Sequence, residues 1–288
     1  MDHAGLVALA AAAAVEAGSL LVTRYGPGVR TRAKSGRHDV VTEADGQAES
    51  LIRTMLSASR PDSVIVGEET GASGAGEVEW YVDPIDGTHN FARGLGLYAV
   101  SIGVSVRGEP VGGAVYEPTR GELFTAAGGV LRIDGRPAPP RVAEPDPLPV
   151  VLTDIPTPGA LDPAEARLHA ELVETADVRR IGSSALALAY VAAGRADLAV
   201  NADVFVWDVA AGRSLVRAAG GGFAGVPGEP GTERRSGFVA WGPLFAAHGR
   251  RLSDRLAEFA ELAVRNSSNA WPCPTTTVFD ASHDADLS

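Results

Sequence analysis

"VDPIDGTHNF", residues 82–91, sets two aspartates three positions apart, splits them with a proline, and follows the second with glycine and threonine. Two readings are open. Asp-Pro and Asp-Gly are ordinary turn dipeptides, and a surface bend accounts for the glycine and the proline. The other reading is the floor of a metal site. Asp83 closes a strand-like run, "EWYVD" (79–83), and Pro84 blocks the ladder and fixes its own φ, so the chain is expected to turn there. Gly87 then frees the backbone, and a helix beginning near Gly87-Thr88 would turn its unpaired N–H groups outward as an anion site. A bend does not explain Thr88 directly after Gly87, nor the acids found elsewhere.

Those acids lie far apart in the chain. "VGEET" (66–70) ends a second strand in Glu68-Glu69, "VWDVAAG" (206–212) puts Asp208 at an expected helix start, and Asp45 lies in "VTEAD" (41–45). Each has a plain alternative: Glu68-Glu69 as a solvated strand end, Asp208 as an N-cap.

The chain as a whole bounds the choices. Its 288 residues suffice for one large or two modest domains, and 45% apolar with 21% charged residues is a globular composition. A net charge of -11 argues against nucleic acid as main partner, because phosphate backbones are bound by clusters of Lys and Arg. A small phosphate ester stays possible, since bound cations invert the local field. Cys273 is the only cysteine, so no intrachain disulfide forms, and a reducing cytoplasm is the expected location. The apolar run "LVALAAAAAVEAGSLLV" (6–22) has no preceding Lys or Arg, and Glu16 interrupts it. It is read as an alanine-rich helix packed on the protein, not a membrane span.

Helical periodicity is expected at about 3–25, 43–59, 163–176, 184–193, 206–219 and 243–264, the second opening on Thr42. Strands are expected at 63–67, 79–83, 97–106, 110–118, 121–127, 149–155, 196–201 and 235–242, the middle group joined by hairpin turns. The Pro-rich segment 134–149 divides an N-terminal α+β half (1–140) from a C-terminal α/β half (141–265), and 266–288 reads as a mobile tail.

In chain order, "GEE", "DPIDGTHNF" and "WDVAAG" resemble the inositol monophosphatase family of metal-dependent phosphatases, as do "VVTEAD", "VSIGV" and "RRIGSSALALAYVAAGRADLAV". The resemblance covers about residues 5 to 264 and implies a five-layered αβαβα sandwich, a homodimer, and inhibition by lithium. It implies Glu68, Asp83 and the Ile85 carbonyl around one Mg²⁺, with Asp83 bridging to a second completed by Asp86 and Asp208. A third, weaker ion would sit near Glu68. Gly87 and Thr88 would offer N–H groups to phosphate, and Asp45 and Thr88 would orient the attacking water.

Elementary electrostatics supports the grouping. Two unit charges about 4 Å apart repel by roughly 4 kcal/mol at an effective dielectric of 20, so four gathered carboxylates need cations. An all-oxygen donor set suits Mg²⁺, and no Cys–His spacing offers a zinc site. Metals would lower the pKa of a bound water, align it and stabilise the leaving alkoxide.

Lys34 is the only lysine among 25 basic residues. Chance survival is one explanation; the resemblance gives another, a mobile loop closing over the metals. The alcohol half of the ester would meet Asp86, Ser183, Ser184, Asn201 and Asp208. Ser183-Ser184 equally reads as the cap of "ALALAYVAAG". Asn201 stands where many inositol phosphatases carry glutamate, so an amide replaces a charge. The expected activity is Mg²⁺-dependent hydrolysis of a small polyol or sugar phosphate. The alternatives are histidinol phosphate or the 3′-phosphate of phosphoadenosine phosphate as substrate, and a non-catalytic regulatory protein on the same fold.

Overall fold

The computed structural model describes residues 2–24, 31–36, 39–139, 148–157, 162–226, 231 and 236–267. Helix α1 (His3–Val22) starts at Asp2, whose carboxylate accepts the Ala4 N–H at 3.1 Å. Among the described helices it alone is long and apolar enough to cross a membrane, yet Ala10, Ala13, Ala14, Ala17 and Leu21 are fully buried in the protein core. The alanine run is a packing face. A side chain on Gly18 would lie 2.4 Å from the Tyr116 ring, so only glycine lets the helix sit this close to the sheet.

A hairpin of β1 (Thr31–Gly36) and β2 (Asp39–Thr42) follows, then α2 (Glu43–Ser59). Next come β3 (Ser63–Gly67), β4 (Gly71–Gly74), β5 (Val78–Asp86), the short α3 (Thr88–Arg93), β6 (Ala99–Val106), β7 (Glu109–Glu117), β8 (Glu122–Ala127), β9 (Val130–Ile133) and β10 (Arg136–Pro137). Eight of these strands form one sheet in the order β10-β9-β8-β7-β6-β5-β3-β4, antiparallel except for β3 beside β5. The rest of the chain supplies β11 (Val150–Thr153), α4 (Pro163–Thr175), β12 (Asp177–Arg179), α5 (Ser184–Ala192), β13 (Leu198–Val204), α6 (Val206–Ala218), β14 (Gly222–Val226), β15 (Ser236–Trp241) and α7 (Ala246–Ser267). Its five strands run β12-β11-β13-β15-β14, with β11 parallel to both neighbours.

Three cores stack these elements into five layers. Leu21 of α1 and Ile52 and Leu56 of α2 pack on Trp80 and Ile102 of the large sheet. On its other face, Leu186 and Leu188 of α5 and Leu215 of α6 fill the space between Phe124 of the large sheet and Phe238 of the small one. Leu168 of α4 and Leu256 of α7 cover the far side of the small sheet at Val151 and Val239. The architecture is αβαβα, as expected. The central layer lies close to the large sheet: a Cβ on Gly103 would come within 2.5 Å of Ala210, so small residues on both elements set the spacing.

The differences from the sequence reading are local. β5 does not stop at Asp83 but continues through Pro84 to Asp86. Pro84 is tolerated because the pairing slips there: Asp83 faces Ser101 and Asp86 faces Ala99, three steps on one strand against two on the other. That is a β-bulge, where a missing N–H costs no ladder bond. Helix α1 ends at Val22, short of 25, and α7 runs through Ser267, so the segment expected to be a tail from 266 begins inside a helix. Residues 268–288 lie outside the described residues.

Candidate metal centre

The bulge in β5 builds the site. In a regular strand, residues three apart point to opposite faces. One extra residue between Asp83 and Asp86 restores them to the same side. The result is a cluster in which Asp83, Asp86 and Asp208 each offer a carboxylate oxygen within 4.8 Å of the others. Asp208 comes from the first turn of α6, where its Oδ2 accepts the Phe205 N–H at 2.7 Å. It is not the N-cap considered above: Phe205 holds that place.

Glu68 follows β3, which pairs in parallel with β5, and its N–H donates to the Val82 carbonyl at 3.1 Å. Its side chain is hydrogen-bonded to that of Asp83. Four acids from three separate segments therefore converge. Burial first, then the charges of Glu68, Asp86 and Asp208, push the Asp83 carboxyl well above the ordinary range. Burial also raises Asp86 to about 7, against the pull of its bonds to Ser183, Ala185 and Ser184; the Asp154 carboxylate adds to the rise. Carboxylates this unwilling to ionise together form a site short of positive charge, and the donors are all oxygen. The residues fit a hard divalent cation.

Around the cluster, each hydrogen bond has an orienting effect. Ser183 caps α5 and donates its hydroxyl to Asp86, while the Ser184 and Ala185 N–H groups reach the same carboxylate at 3.3 and 2.7 Å. Ser183 is thus the cap of α5, and the same hydroxyl ties that helix to Asp86. Asn201 donates to the Ser184 hydroxyl at 2.8 Å. Asp45, fully buried, accepts from the Thr42 N–H at 2.8 Å in the first turn of α2, and its other oxygen lies 3.3 Å from the Thr88 hydroxyl. Thr88 also reaches the Ile85 carbonyl at 2.9 Å, and the Ile85 N–H donates to Asp83 at 3.0 Å. Gly87 caps α3 with φ 97°, and a Cβ there would meet the Leu97 carbonyl at 2.8 Å. His89 is exposed. Lys34 lies on β1, and its side chain falls outside the described residues.

Three further residues escaped the sequence reading. Glu49, fully buried on α2, accepts from the Glu69 N–H at 2.8 Å and the Thr70 N–H at 3.1 Å, and pairs with Arg53 at 2.9 Å. Arg53 in turn donates to Ser73 and to the Gly71 carbonyl, so the pair ties α2 to the turn that carries Glu68. Asn90 donates to the Leu97 and Ile181 carbonyls, both at 2.7 Å, joining α3 to the loop before α5. Asp154 follows β11 and stands beside Asn201. An i,i+4 Glu–Arg pair was visible at 49 and 53, but it reads as an ordinary surface pair.

Residues 2–263 match the model of the inositol monophosphatase family. Nus factor SuhB of Xylella fastidiosa is 40% identical over 196 residues, 65% of this chain and 70% of that protein. The extragenic suppressor protein suhB from Bartonella henselae superposes with a TM-score of 0.79 at 31% identity, covering 88% of this chain and 98% of that one. The IMPase from Thermotoga maritima gives 0.73 at 30% identity, covering 87% and 96%. The class is therefore a phosphatase fold arranged around an acidic site suited to a metal ion. This chain belongs to the inositol monophosphatase family.

Proposed function

We propose that the chain is a Mg²⁺-dependent phosphomonoesterase acting on a small polyol or sugar phosphate. The observation that carries this reading is the meeting of Asp83, Asp86 and Asp208 oxygens within 4.8 Å, with Glu68 bonded to Asp83. Two to three Mg²⁺ ions, when bound, supply positive charge to the phosphate and acidify water. Glu68, Asp83, the Ile85 carbonyl, Asp86 and Asp208 would hold them. Thr88 is set between Asp45 and Ile85 to accept or pass a proton at its hydroxyl, and Asp45 is the group able to receive it. The Gly87 and Thr88 N–H groups would meet phosphate oxygens, and the Ser183-Ser184 side would meet the alcohol. Lys34 remains a candidate for closing the site. The supports for these roles are family membership and the contacts described above.

A homodimeric, cytoplasmic enzyme is the associated proposal. The relative's name, Nus factor SuhB, supports a second reading, in which the chain acts as a Nus factor. The phosphatase reading is tested by phosphate release by purified protein and Mg²⁺ from a panel of inositol, sugar, histidinol and nucleotide phosphates. Release that needs Mg²⁺ is expected. Silence across the panel, with metal binding intact, would leave the non-catalytic reading.

A further inference from the structure

Helix α5 holds Asp86 at its start and has no polar side chain from Ala185 to Ala189. All of that stretch is buried, so the helix is apolar on every side. An amphipathic helix is turned by its apolar stripe, whereas one without a polar face gains similar burial at many rotations. Contacts at its two ends are left to fix it. At the start these are the Ser183 hydroxyl and the Ser184 and Ala185 N–H groups on Asp86.

At the far end, Tyr190 is the one residue of α5 that is not buried, and its hydroxyl donates to Glu117, the last residue of β7, at 2.8 Å. Arg195 lies just beyond the helix. Its backbone N–H donates to the Tyr190 carbonyl at 2.8 Å, and its guanidinium grips both oxygens of Glu122 in β8. The same guanidinium stands over the Tyr190 and Phe124 rings, 5.3 and 5.4 Å from their centroids. Glu117 is 1% exposed, and its Arg120 contact is long, at 3.8 Å. An acid buried this far costs desolvation that a leucine would not, but a satisfied polar contact holds one orientation. Midway along, a Cβ on Gly212 would come within 2.4 Å of Leu188, so α5 also bears closely on α6, which carries Asp208.

We propose that Tyr190 and Glu117 are positioning residues for the metal cluster. Their bond sets the rotation and axial place of α5, and with them the aim of the Ser183, Ser184 and Ala185 donors that hold Asp86. At 1.5 Å per residue, Tyr190 lies about 10 Å along the axis from Ser183, so it acts through the helix and not by touching an ion. This rests on the reading of Asp83, Asp86 and Asp208 as metal ligands.

The test is Mn²⁺ binding to the full chain, followed by the electron paramagnetic resonance signal of the free ion. Tyr190→Phe removes one oxygen and keeps the ring under Arg195; Glu117→Leu removes the acceptor; Glu117→Gln keeps one. Tyr190→Phe and Glu117→Leu should each weaken Mn²⁺ binding about fivefold, the scale on which a remote contact modulates a site. The double variant should be no weaker than either single one, and Glu117→Gln should stay within about twofold of wild type. Leu168→Ala, a cavity in the core beyond the small sheet, is the stability control: it should lower Tm at least as far and leave Mn²⁺ affinity unchanged. Unchanged affinity in Tyr190→Phe overturns the proposal, whether or not Glu117→Leu folds. An equal loss of affinity in Leu168→Ala overturns it too, because general stability would then be the cause. Wild-type protein that takes up no Mn²⁺ would bring down the metal reading itself, a result distinct from these.

Discussion

Asp83 and Asp86 share one side of β5 because a single extra residue separates their partners, Ser101 and Ala99, from regular register. The bulge that accommodates Pro84 thus sets the pair of carboxylates that, with Asp208, forms the metal-competent cluster.

Replacing Asp83 should move activity and stability in opposite directions. Asp83→Asn removes the acid most strongly opposed by its neighbours, so the metal-free protein should melt higher at pH 8. The same change should lower Mg²⁺-dependent phosphate release by about a thousandfold, the scale of several kcal/mol of charge stabilisation. Melting curves in EDTA and a phosphate assay check both.

The pH dependence of the metal-free protein follows from Asp86. Its folded value of about 7 exceeds the ordinary 3.8, so the folded state holds a proton that the unfolded chain releases between them. This contribution to stability is complete below 3.8 and is lost as pH rises towards 7. Glu122 works the other way: its bond to Arg195 lowers it, so its contribution is lost as pH falls. The difference between wild type and Asp86→Asn in EDTA isolates the effect. The variant should gain Tm relative to wild type between pH 5 and 8, and Mg²⁺ should reverse the order. A difference constant with pH would contradict the assignment.

Gly87→Ala should be costly. The residue is held at φ 97°, and its new Cβ would sit 2.8 Å from the Leu97 carbonyl and 3.1 Å from that of Gly182. A loss of about 2 kcal/mol or more is expected in chemical denaturation, since strain and a steric clash add.

Glu49→Ala should act at a distance. It strips the turn after β3 of its acceptor and leaves Arg53, only 16% exposed, without its carboxylate. About 3 kcal/mol of stability should go, as for other broken buried pairs. Glu49→Gln, milder for the fold, should raise the Mg²⁺ concentration for half-maximal activity severalfold. Gly67→Ala should resemble it, because its Cβ would meet the Glu49 carboxylate at 2.5 Å.

Much of this was legible in the sequence, for identifiable reasons. The six long helices follow apolar spacing, and Thr42 marks the start of α2 where its backbone meets Asp45. The decapeptide at 82–91 indicated the site, but not its mechanism of assembly. A proline reads as a stop, and a bulge is set by the register of a partner strand that local sequence does not state. Short or Gly-rich strands such as β4, "GASG", lack any alternation to detect. Glu49 and Asp154 were hidden for a different reason: nothing local distinguishes a buried acid from a solvated one. Only the turn folded over Glu49, and the Asn201 placed beside Asp154, reveal their surroundings.

The most direct measurement is anomalous scattering from crystals grown with Mn²⁺ in place of Mg²⁺. Peaks should appear between the carboxylates of Glu68, Asp83, Asp86 and Asp208, and vanish in Asp83→Asn. Ordered crystals with Mn²⁺ elsewhere, or with those four side chains bare, would show that the acids meet for some purpose other than holding metal.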